Sequence, residues 1–240
     1  MKQATGNMYS FVTHTWNPIK GKCPHDCFYC YMKKWNLKDP VHLDEKTLLE
    51  NSYDISSGHP RFIFVGSGTD MFCDEVKAKD IFRVLEKCWE YPNNRYLFQT
   101  KNPERFMEFQ NSFPPNVVLG TTIESDHYLK EMGESPSTVE RSKAMSILSE
   151  RFITMVTIEP IMKFSMGDSY GINKTDMLLP GHHGLPAFVQ YCQPAWVNIG
   201  ADSKGSKLPE PSSDEIKVLI SELEKFTIVR QKDNLKRLLK

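Results

Sequence analysis

Short apolar runs alternate along the chain with longer stretches in which apolar residues recur at helical spacing. The short runs have the length of strands and are rich in β-branched and aromatic residues. This alternation predicts successive βαβ units around a parallel sheet. The predicted strands are residues 9–13, 61–65, 96–100, 117–122, 152–158 and 196–199, with a weaker seventh at 227–229.

The longer stretches predict helices, and two of these begin at recognisable capping residues. Pro103 opens one helix directly after Asn102, and Ser212 precedes acidic residues at the start of another. The predicted helices are residues 44–51, 77–90, 103–110, 138–149, 185–192 and 212–225. Two connections fit the pattern less well. Residues 164–184 form a long loop of a kind that is usually functional, and residues 203–213 are expected to cross the surface.

Nearly every predicted strand runs into a polar or glycine-bearing turn. In parallel β/α barrels such turns converge at the carboxyl ends of the strands and build the active site. Six or seven units fall short of the eight of a closed barrel, which predicts an open side. The predicted fold is therefore α/β, an incomplete (β/α)6-type parallel barrel over residues 1–228, followed by a basic C-terminal helix or tail at residues 229–240.

Composition limits the classes of partner. The 240 residues include 30 basic and 30 acidic side chains, so no overall charge attracts nucleic acid or an anionic membrane. The amino terminus lacks the apolar run of a signal peptide, and no stretch of about 18 apolar residues predicts a membrane span. We therefore expect a cytoplasmic protein of one domain with no membrane partner.

Three of the six cysteines, Cys23, Cys27 and Cys30, fall in one short loop interrupted by glycine and proline. Their spacing is too tight for mutual disulfides and favours metal ligation. Three thiolates can each hold one iron of an iron–sulfur cube, which leaves one iron without a protein ligand. The alternative is a small zinc site that adds His14 or His25, although no second paired cluster of ligands follows along the sequence.

The spacing Cys-x-x-x-Cys-x-aromatic-Cys, with Tyr29 at the aromatic position, resembles the signature of the radical S-adenosylmethionine (SAM) superfamily. Residues 15–18, 65–72, 100–106 and 158–160 are similar to the phage Gp37/Gp68-type branch of that superfamily, and a weaker similarity is to spore photoproduct lyase. The resemblance implies a barrel of the radical SAM kind and two cofactors, a [4Fe–4S] cluster and SAM. It also implies reductive cleavage of SAM to methionine and a 5′-deoxyadenosyl radical, with an electron donor such as flavodoxin or ferredoxin.

The same resemblance assigns the turns around the cluster to SAM. The expected SAM-binding residues are Tyr29, Gly66, Ser67, Gly68, Asp70, Lys101, Thr122, Glu124 and Gly200. The turn at residues 66–70 would meet the amino group, although it departs from the family's Gly-Gly-Glu-like sequence. Lys101 suits the carboxylate. Thr122 and Glu124 suit the ribose hydroxyls, and Gly200 suits the adenine edge together with Tyr29. The alternatives are a tight turn, a solvated lysine and a glycine that ends a strand.

Four further residues are expected on the substrate side. Glu159 leaves the fifth strand toward the same face and would hold substrate or cofactor, with a strand-end salt bridge as the alternative. His182 and His183, in the long loop, are candidates because imidazole donates, accepts and binds phosphate near neutral pH, with a plain surface turn as the alternative. Cys73 is a candidate for returning hydrogen to a product radical, with buried packing as its alternative. A nucleotide or nucleic acid is the expected substrate, and a small molecule or peptide is the alternative.

Two other functions stand as alternatives to the radical enzyme. One is a noncatalytic binding module in which zinc orders the cysteine loop. The other is a nonradical transfer of a SAM-derived group. Colour, metal content and the product formed from SAM distinguish the three, since 5′-deoxyadenosine forms only by the radical route.

Overall fold

An eight-stranded sheet forms the centre of the chain. A computed structural model describes residues 1–50, 59–167 and 184–240. Its strands are β1 (Lys2–Gln3), β2 (His14–Trp16), β3 (Ile19–Lys20), β4 (His42–Leu43), β5 (Phe62–Val65), β6 (Arg95–Thr100), β7 (Val117–Thr122), β8 (Ile153–Ile158), β9 (Trp196–Ile199) and β10 (Ile228–Gln231). Across the sheet, β1 is followed by β2 and then by β5 to β10 in chain order, whereas β3 and β4 pair apart from it.

All neighbouring pairs from β2 to β10 in this sheet are parallel, and β1 joins β2 in the antiparallel direction. Strands β1 and β10 are its two edges, so the sheet does not close on itself within the described ranges. The predicted incomplete parallel β/α barrel is thus confirmed. The weaker seventh strand is also present, as β10, and the predicted boundary after residue 228 falls inside it.

Helices connect the parallel strands. The α-helices are α1 (Glu45–Glu50), α2 (Ala78–Trp89), α3 (Thr138–Leu148), α4 (Leu185–Tyr191) and α5 (Ser213–Glu224), and 3₁₀-helices cover Tyr31–Trp35, Pro103–Phe109, Lys130–Met132 and Asp233–Arg237. Each predicted helix is present within a few residues of its predicted bounds, the one at 103–110 as a 3₁₀-helix. In the parts of the chain that the structure describes, no helix combines the length and apolar character needed to cross a bilayer.

The strands alternate between two buried faces. Ile63 and Val65 of β5 pack in the large core that includes the helices. Phe64, between them, packs in a smaller core on the other side of the sheet with Leu97 and Trp196. Because successive side chains of a strand point to opposite faces and both faces are buried, these strands appear in the sequence as nearly continuous apolar runs.

The first predicted strand is wrong in its position. Residues 9–13 are not a strand, and the first parallel strand is β2 at His14–Trp16. Residues 9–12 instead make a turn, in which the Val12 amide donates to the Tyr9 carbonyl at 3.0 Å. The rings of Tyr9 and Phe64 stack with centroids 6.2 Å apart. The apolar residues of this segment are therefore buried on the inner face of the sheet, and that burial produced a strand-like pattern.

Ser212 caps the start of α5, as the sequence predicted. Its hydroxyl accepts from the Glu215 amide at 3.3 Å, and the Glu215 carboxylate accepts from the Ser212 amide at 2.7 Å. We expect Ser212→Ala to lower the free energy of unfolding by about 1 kcal/mol, measured by urea denaturation. Ser213→Ala is the matched control, because the Ser213 hydroxyl is buried with no hydrogen-bond partner among the described residues. Its removal should leave stability unchanged or slightly higher, and equal losses from both variants would contradict the capping role.

Candidate functional site

A cavity of about 710 Å³ opens at the carboxyl ends of the parallel strands. Its volume lies in the range of about 300–1,000 Å³ that small-molecule and cofactor sites occupy. The predicted residues that line it are Cys23, Cys27, Tyr29, Cys30, Gly66, Ser67, Gly68, Asp70, Lys101, Thr122 and Glu159. The structure thus brings the cysteine loop and the turns after β5, β6, β7 and β8 to one place.

The cysteine loop is fixed by its own turns and by a neighbouring segment. The Cys30 amide donates to the Cys27 carbonyl at 3.1 Å, and the Phe28 amide donates to the Glu131 carbonyl at 2.9 Å. Gly133 permits this close approach, because a Cβ on it would lie 2.1 Å from the His25 carbonyl oxygen. The shape of the loop therefore depends on contacts that need no metal.

The three thiols are a donor set that fits an iron–sulfur cluster. All of them are free, and all line the same cavity. Within the described ranges, no three His, Cys, Asp or Glu side chains are close enough together to hold a single metal ion. A cube places its thiolates on separate irons, whereas zinc gathers its ligands around one point. Burial raises the pKa of the Cys23 thiol to about 12, with the Asp70 carboxylate adding to the shift. Metal binding at this thiol therefore releases a proton.

Asp70 is a buried carboxylate whose hydrogen bonds all come from the protein. Its Oδ2 accepts from His25 Nε2, the Thr100 hydroxyl and the Lys101 amide, each at 2.9 Å, and its Oδ1 accepts from the Phe72 amide at 3.0 Å. Burial alone raises the pKa of Asp70, but the hydrogen bond and charge of His25, with the other donors, hold it below its usual value. Asp70 therefore joins the cysteine loop to the ends of β5 and β6.

A buried cluster of charges lies behind the cavity wall. Glu124 is fully buried; its Oε1 accepts from the Tyr29 hydroxyl and Lys101 Nζ, and its Oε2 accepts from Arg141 Nη1 at 2.8 Å. Lys101 Nζ also donates to the Tyr29 oxygen at 2.7 Å. Burial lowers the pKa of Lys101 to about 8. Three residues predicted to bind SAM are therefore bonded directly to one another, and a fourth residue that the sequence did not indicate, Arg141, is bonded to Glu124.

Asn17 holds the glycine-bearing turn after β5. Its side-chain oxygen accepts from the Gly68 amide at 2.8 Å and from the Ser67 hydroxyl at 3.2 Å. Gly66 has a positive φ of 77°, a conformation that favours glycine. The turn therefore keeps a fixed shape beside the cysteine loop. Asn17 lies in the segment that resembles the phage-type proteins, but no pattern in the sequence indicated this contact.

Glu159 forms the strand-end salt bridge that was the alternative to substrate binding. Its Oε2 accepts from Lys232 Nζ at 2.6 Å, and its Oε1 accepts from the side-chain amides of Asn7 and Asn234 at 2.8 and 2.9 Å. Gly200 leaves room for this arrangement, because a Cβ on it would lie 2.7 Å from Glu159 Oε1. Glu159 and Lys232 both line the cavity, so this ion pair forms part of its wall.

The remaining predicted residues lie elsewhere. Cys73 is fully buried in the large core, where burial raises the pKa of its thiol, and it is not among the described residues that line the cavity. This placement agrees with the packing alternative, and its role as a hydrogen donor stays a prediction. His182 and His183 lie outside the described residues.

Comparison with known proteins gives one family and one fold. The family model described as Protein of unknown function (DUF5131) matches residues 7–198. Comparison with curated protein sequences gave no significant match. Among solved structures, a substituted spore photoproduct lyase with bound AdoMet and dinucleoside spore photoproduct is similar, with a TM-score of 0.57, 11% identity, and coverage of 92% of this chain and 64% of that chain.

Two further structures of spore photoproduct lyase are similar. One is another substituted form, with a TM-score of 0.58, 11% identity, and coverage of 94% of this chain and 65% of that chain. The other is complexed with dinucleoside spore photoproduct, with a TM-score of 0.54, 12% identity, and coverage of 87% and 60%. This chain therefore spans less than two thirds of the lyase. At such identity the likeness establishes the fold, the partial barrel of the radical SAM kind, and the phage-type resemblance stays a prediction.

Proposed function

Because the chain belongs to the family described as Protein of unknown function (DUF5131) and shares the fold of spore photoproduct lyase, we propose that it is a radical SAM enzyme. A [4Fe–4S] cluster on Cys23, Cys27 and Cys30 would supply the electron that cleaves SAM to methionine and a 5′-deoxyadenosyl radical. One observation carries the proposal. The three thiols of the motif line the same cavity as the turns at the carboxyl ends of four neighbouring strands.

The residues of this chain have separate tasks in the proposal. Asp70 positions the cysteine loop against the end of β6, because its carboxylate is bonded to His25 and to the Lys101 amide, and Asn17 positions the turn after β5 through the Gly68 amide. Lys101 provides a cation at the cavity wall for the SAM carboxylate. Glu124 would meet the ribose hydroxyls only after a rearrangement of the cavity wall, since it is fully buried and is not among the described residues that line the cavity.

The cation on Lys101 leads to a pH dependence. Its pKa, lowered by burial to about 8, means that it is mostly protonated at neutral pH and loses its proton in mildly alkaline solution. We expect the affinity for SAM to fall about tenfold from about pH 7 to about pH 9, because deprotonation removes a charge-assisted hydrogen bond. Equilibrium dialysis with the reconstituted protein measures this.

Lys101→Arg is the control for this measurement. Arginine stays charged throughout the same range, so the affinity of this variant for SAM should fall less with pH than that of the wild type. The comparison also removes the contribution of groups on SAM that titrate, because these act equally in both proteins. If the two proteins showed the same pH dependence, Lys101 would not be the cation for the SAM carboxylate.

The direct test is the fate of SAM. The protein is purified without oxygen, reconstituted with iron and sulfide, and incubated with SAM and dithionite, which substitutes for the flavodoxin or ferredoxin that we propose as donor. Formation of 5′-deoxyadenosine is expected. A colourless, zinc-containing protein indifferent to SAM would favour the binding module, and a SAM product other than 5′-deoxyadenosine would favour nonradical transfer.

A further inference from the structure

The mouth of the cavity carries aromatic side chains that the fold does not bury. The 3₁₀-helix Tyr31–Trp35 has no buried residue, and Tyr31 and Trp35 are 45% and 52% exposed although both line the cavity. Their rings meet edge to face, with centroids 6.0 Å apart. Large aromatic side chains are usually buried for stability, so two of them exposed together at an opening indicate a contact with a ligand.

Lysines from three parts of the chain line the same cavity as these rings. Lys34 Nζ lies 4.0 Å from the centre of the Trp35 ring, and Lys204 Nζ lies 5.9 Å from that of Tyr31. Lys2, on the edge strand β1, lines the same opening. Within the described ranges, none of these three lysines forms an ion pair with a carboxylate. We call Lys2, Tyr31, Lys34, Trp35 and Lys204 the rim.

The rim is basic although the whole chain is neutral. Residues 20–38, which contain the cysteine loop and the 3₁₀-helix, include five lysines and one aspartate. The acidic residues in the cavity wall already have partners within the protein. Asp70 is bonded to His25, and Glu159 is paired with Lys232. Asp202 accepts hydrogen bonds from the backbone amides of Lys204 and Ser206. An anionic ligand would therefore meet positive charge first.

We propose that the rim binds a single-stranded nucleic acid, whose bases stack on Tyr31 and Trp35 while its phosphates contact Lys2, Lys34 and Lys204. Exposed rings with interleaved lysines suit this ligand, because every base has a stackable face and every linkage carries a charge. A base held within a duplex cannot reach a cavity, so a single strand or an extruded nucleotide is required. The inference names the substrate class of the proposed enzyme and rests on that proposal for its chemistry.

An acidic electron-transfer protein is the other partner that a basic surface suits. The position of the rings favours the nucleic acid. Tyr31 and Trp35 belong to the cavity wall, where a strand can follow them inward, whereas a folded protein meets only outer surface. Phe28, on the same cysteine loop, is 57% exposed but is not among the described residues of the cavity wall, and it is the more suitable contact for a protein.

Fluorescence anisotropy with a labelled oligothymidylate of about twelve nucleotides tests the rim, since single-strand sites usually span about 4–16 nucleotides. Trp35→Ala should weaken binding about tenfold, because stacking of one base contributes on the order of 1–3 kcal/mol. Trp35→Phe keeps a ring and should bind nearly as the wild type does. Trp89→Ala removes an equally exposed tryptophan from α2 and should leave the affinity unchanged.

Salt dependence tests the charges of the rim. Lys34→Gln should reduce the slope of log affinity against log salt concentration by about 0.7, the value for one phosphate contact on a single strand. Lys217→Gln, on the exposed face of α5, should leave the slope unchanged. Thymidine monophosphate and a duplex of the same sequence should both compete weakly.

Several results would overturn the assignment. The first is that the oligonucleotide does not bind, and the second is that Trp35→Ala binds it as tightly as the wild type does. The third is that the mononucleotide or the duplex competes as strongly as the single strand does. If Trp35→Ala lost flavodoxin-driven SAM cleavage but still bound the oligonucleotide, the rim would be the binding site of the electron donor instead. Binding and cleavage are measured separately. Absence of 5′-deoxyadenosine despite tight binding of the oligonucleotide would contradict the proposed enzyme activity. Cleavage of SAM without oligonucleotide binding would contradict only the assignment of the rim.

Discussion

Replacing Cys27 with alanine is expected to abolish both iron binding and formation of 5′-deoxyadenosine. Cys27 is the most buried of the three cysteines of the loop, 5% exposed, and lies between the other two in the sequence. A cluster held by three thiolates loses one third of its protein ligands, and the remaining two cannot retain it. Iron and sulfide content after anaerobic reconstitution, together with product formed from SAM, measures the loss. Cys23→Ala and Cys30→Ala should behave alike.

The fold of the Cys27→Ala protein should survive this loss. The loop is held by the bond between His25 and Asp70 and by the contacts of Phe28 and Gly133, none of which involves a metal. Circular dichroism and urea denaturation should therefore remain close to those of the wild type. Cys88→Ala is the matched control, because Cys88 is fully buried in α2. The Cys88→Ala protein should therefore keep its iron. Retention of iron by Cys27→Ala, or its loss from Cys88→Ala, would contradict the assignment of the ligands.

Replacing Arg141 with methionine is expected to destabilise the chain by about 3–5 kcal/mol, because it breaks a fully buried ion pair with Glu124. The same guanidinium donates to the carbonyl oxygens of Thr122 and Pro136 at 2.8 and 2.7 Å, and to the Ser135 hydroxyl at 2.6 Å. Its removal takes a donor from the Thr122 and Pro136 carbonyls, near β7 and the start of α3, whereas Ser135 keeps its bond to the Met132 carbonyl. Urea denaturation measures the change in the free energy of unfolding.

Two comparisons separate this effect from ordinary loss of charge. Lys217→Met removes one partner of an exposed pair with Asp214 and should cost less than about 1 kcal/mol. The double change Arg141→Met with Glu124→Gln should recover part of the loss, because it replaces the buried carboxylate, which has lost Arg141 and keeps Lys101, with a neutral amide. A small effect of Arg141→Met, or complete additivity in the double variant, would mean that the buried pair contributes little.

The strands and the cysteine loop could be predicted because their signals are local. Residues 96–98 of β6 and 117–119 of β7 are continuous apolar runs, since both faces of the sheet are buried. The motif of Cys23, Cys27 and Cys30 needs only spacing to be recognised. The first strand failed for a related reason: Tyr9 and Val12 are buried as a strand would be, but in a turn on the inner face of the sheet. The pattern of apolar residues indicates which side chains are buried, and here they are buried in a turn and not in a strand.

The partners within the site could not be predicted, because they come from distant parts of the sequence. Arg141 stands among polar residues at the start of α3 and looks like an exposed charge, yet it is fully buried against Glu124. Lys101 and Glu124 were each assigned to SAM from their positions after strands, and the structure joins them to one another. Residue type and strand position located the site, whereas the pairing of its charges depends on the packed fold.

The ion pair of Glu159 also bears on the order in which the chain folds. Its hydrogen-bond partners Asn7 and Asn234 are 152 and 75 residues away along the chain. Joining residues so far apart costs loop-closure entropy that is recovered only when most other contacts exist. Neighbouring strands of the sheet follow one another in chain order and meet over much shorter loops. We therefore expect the barrel to form before this wall of the cavity does, so that a refolding chain acquires its secondary structure earlier than its binding site.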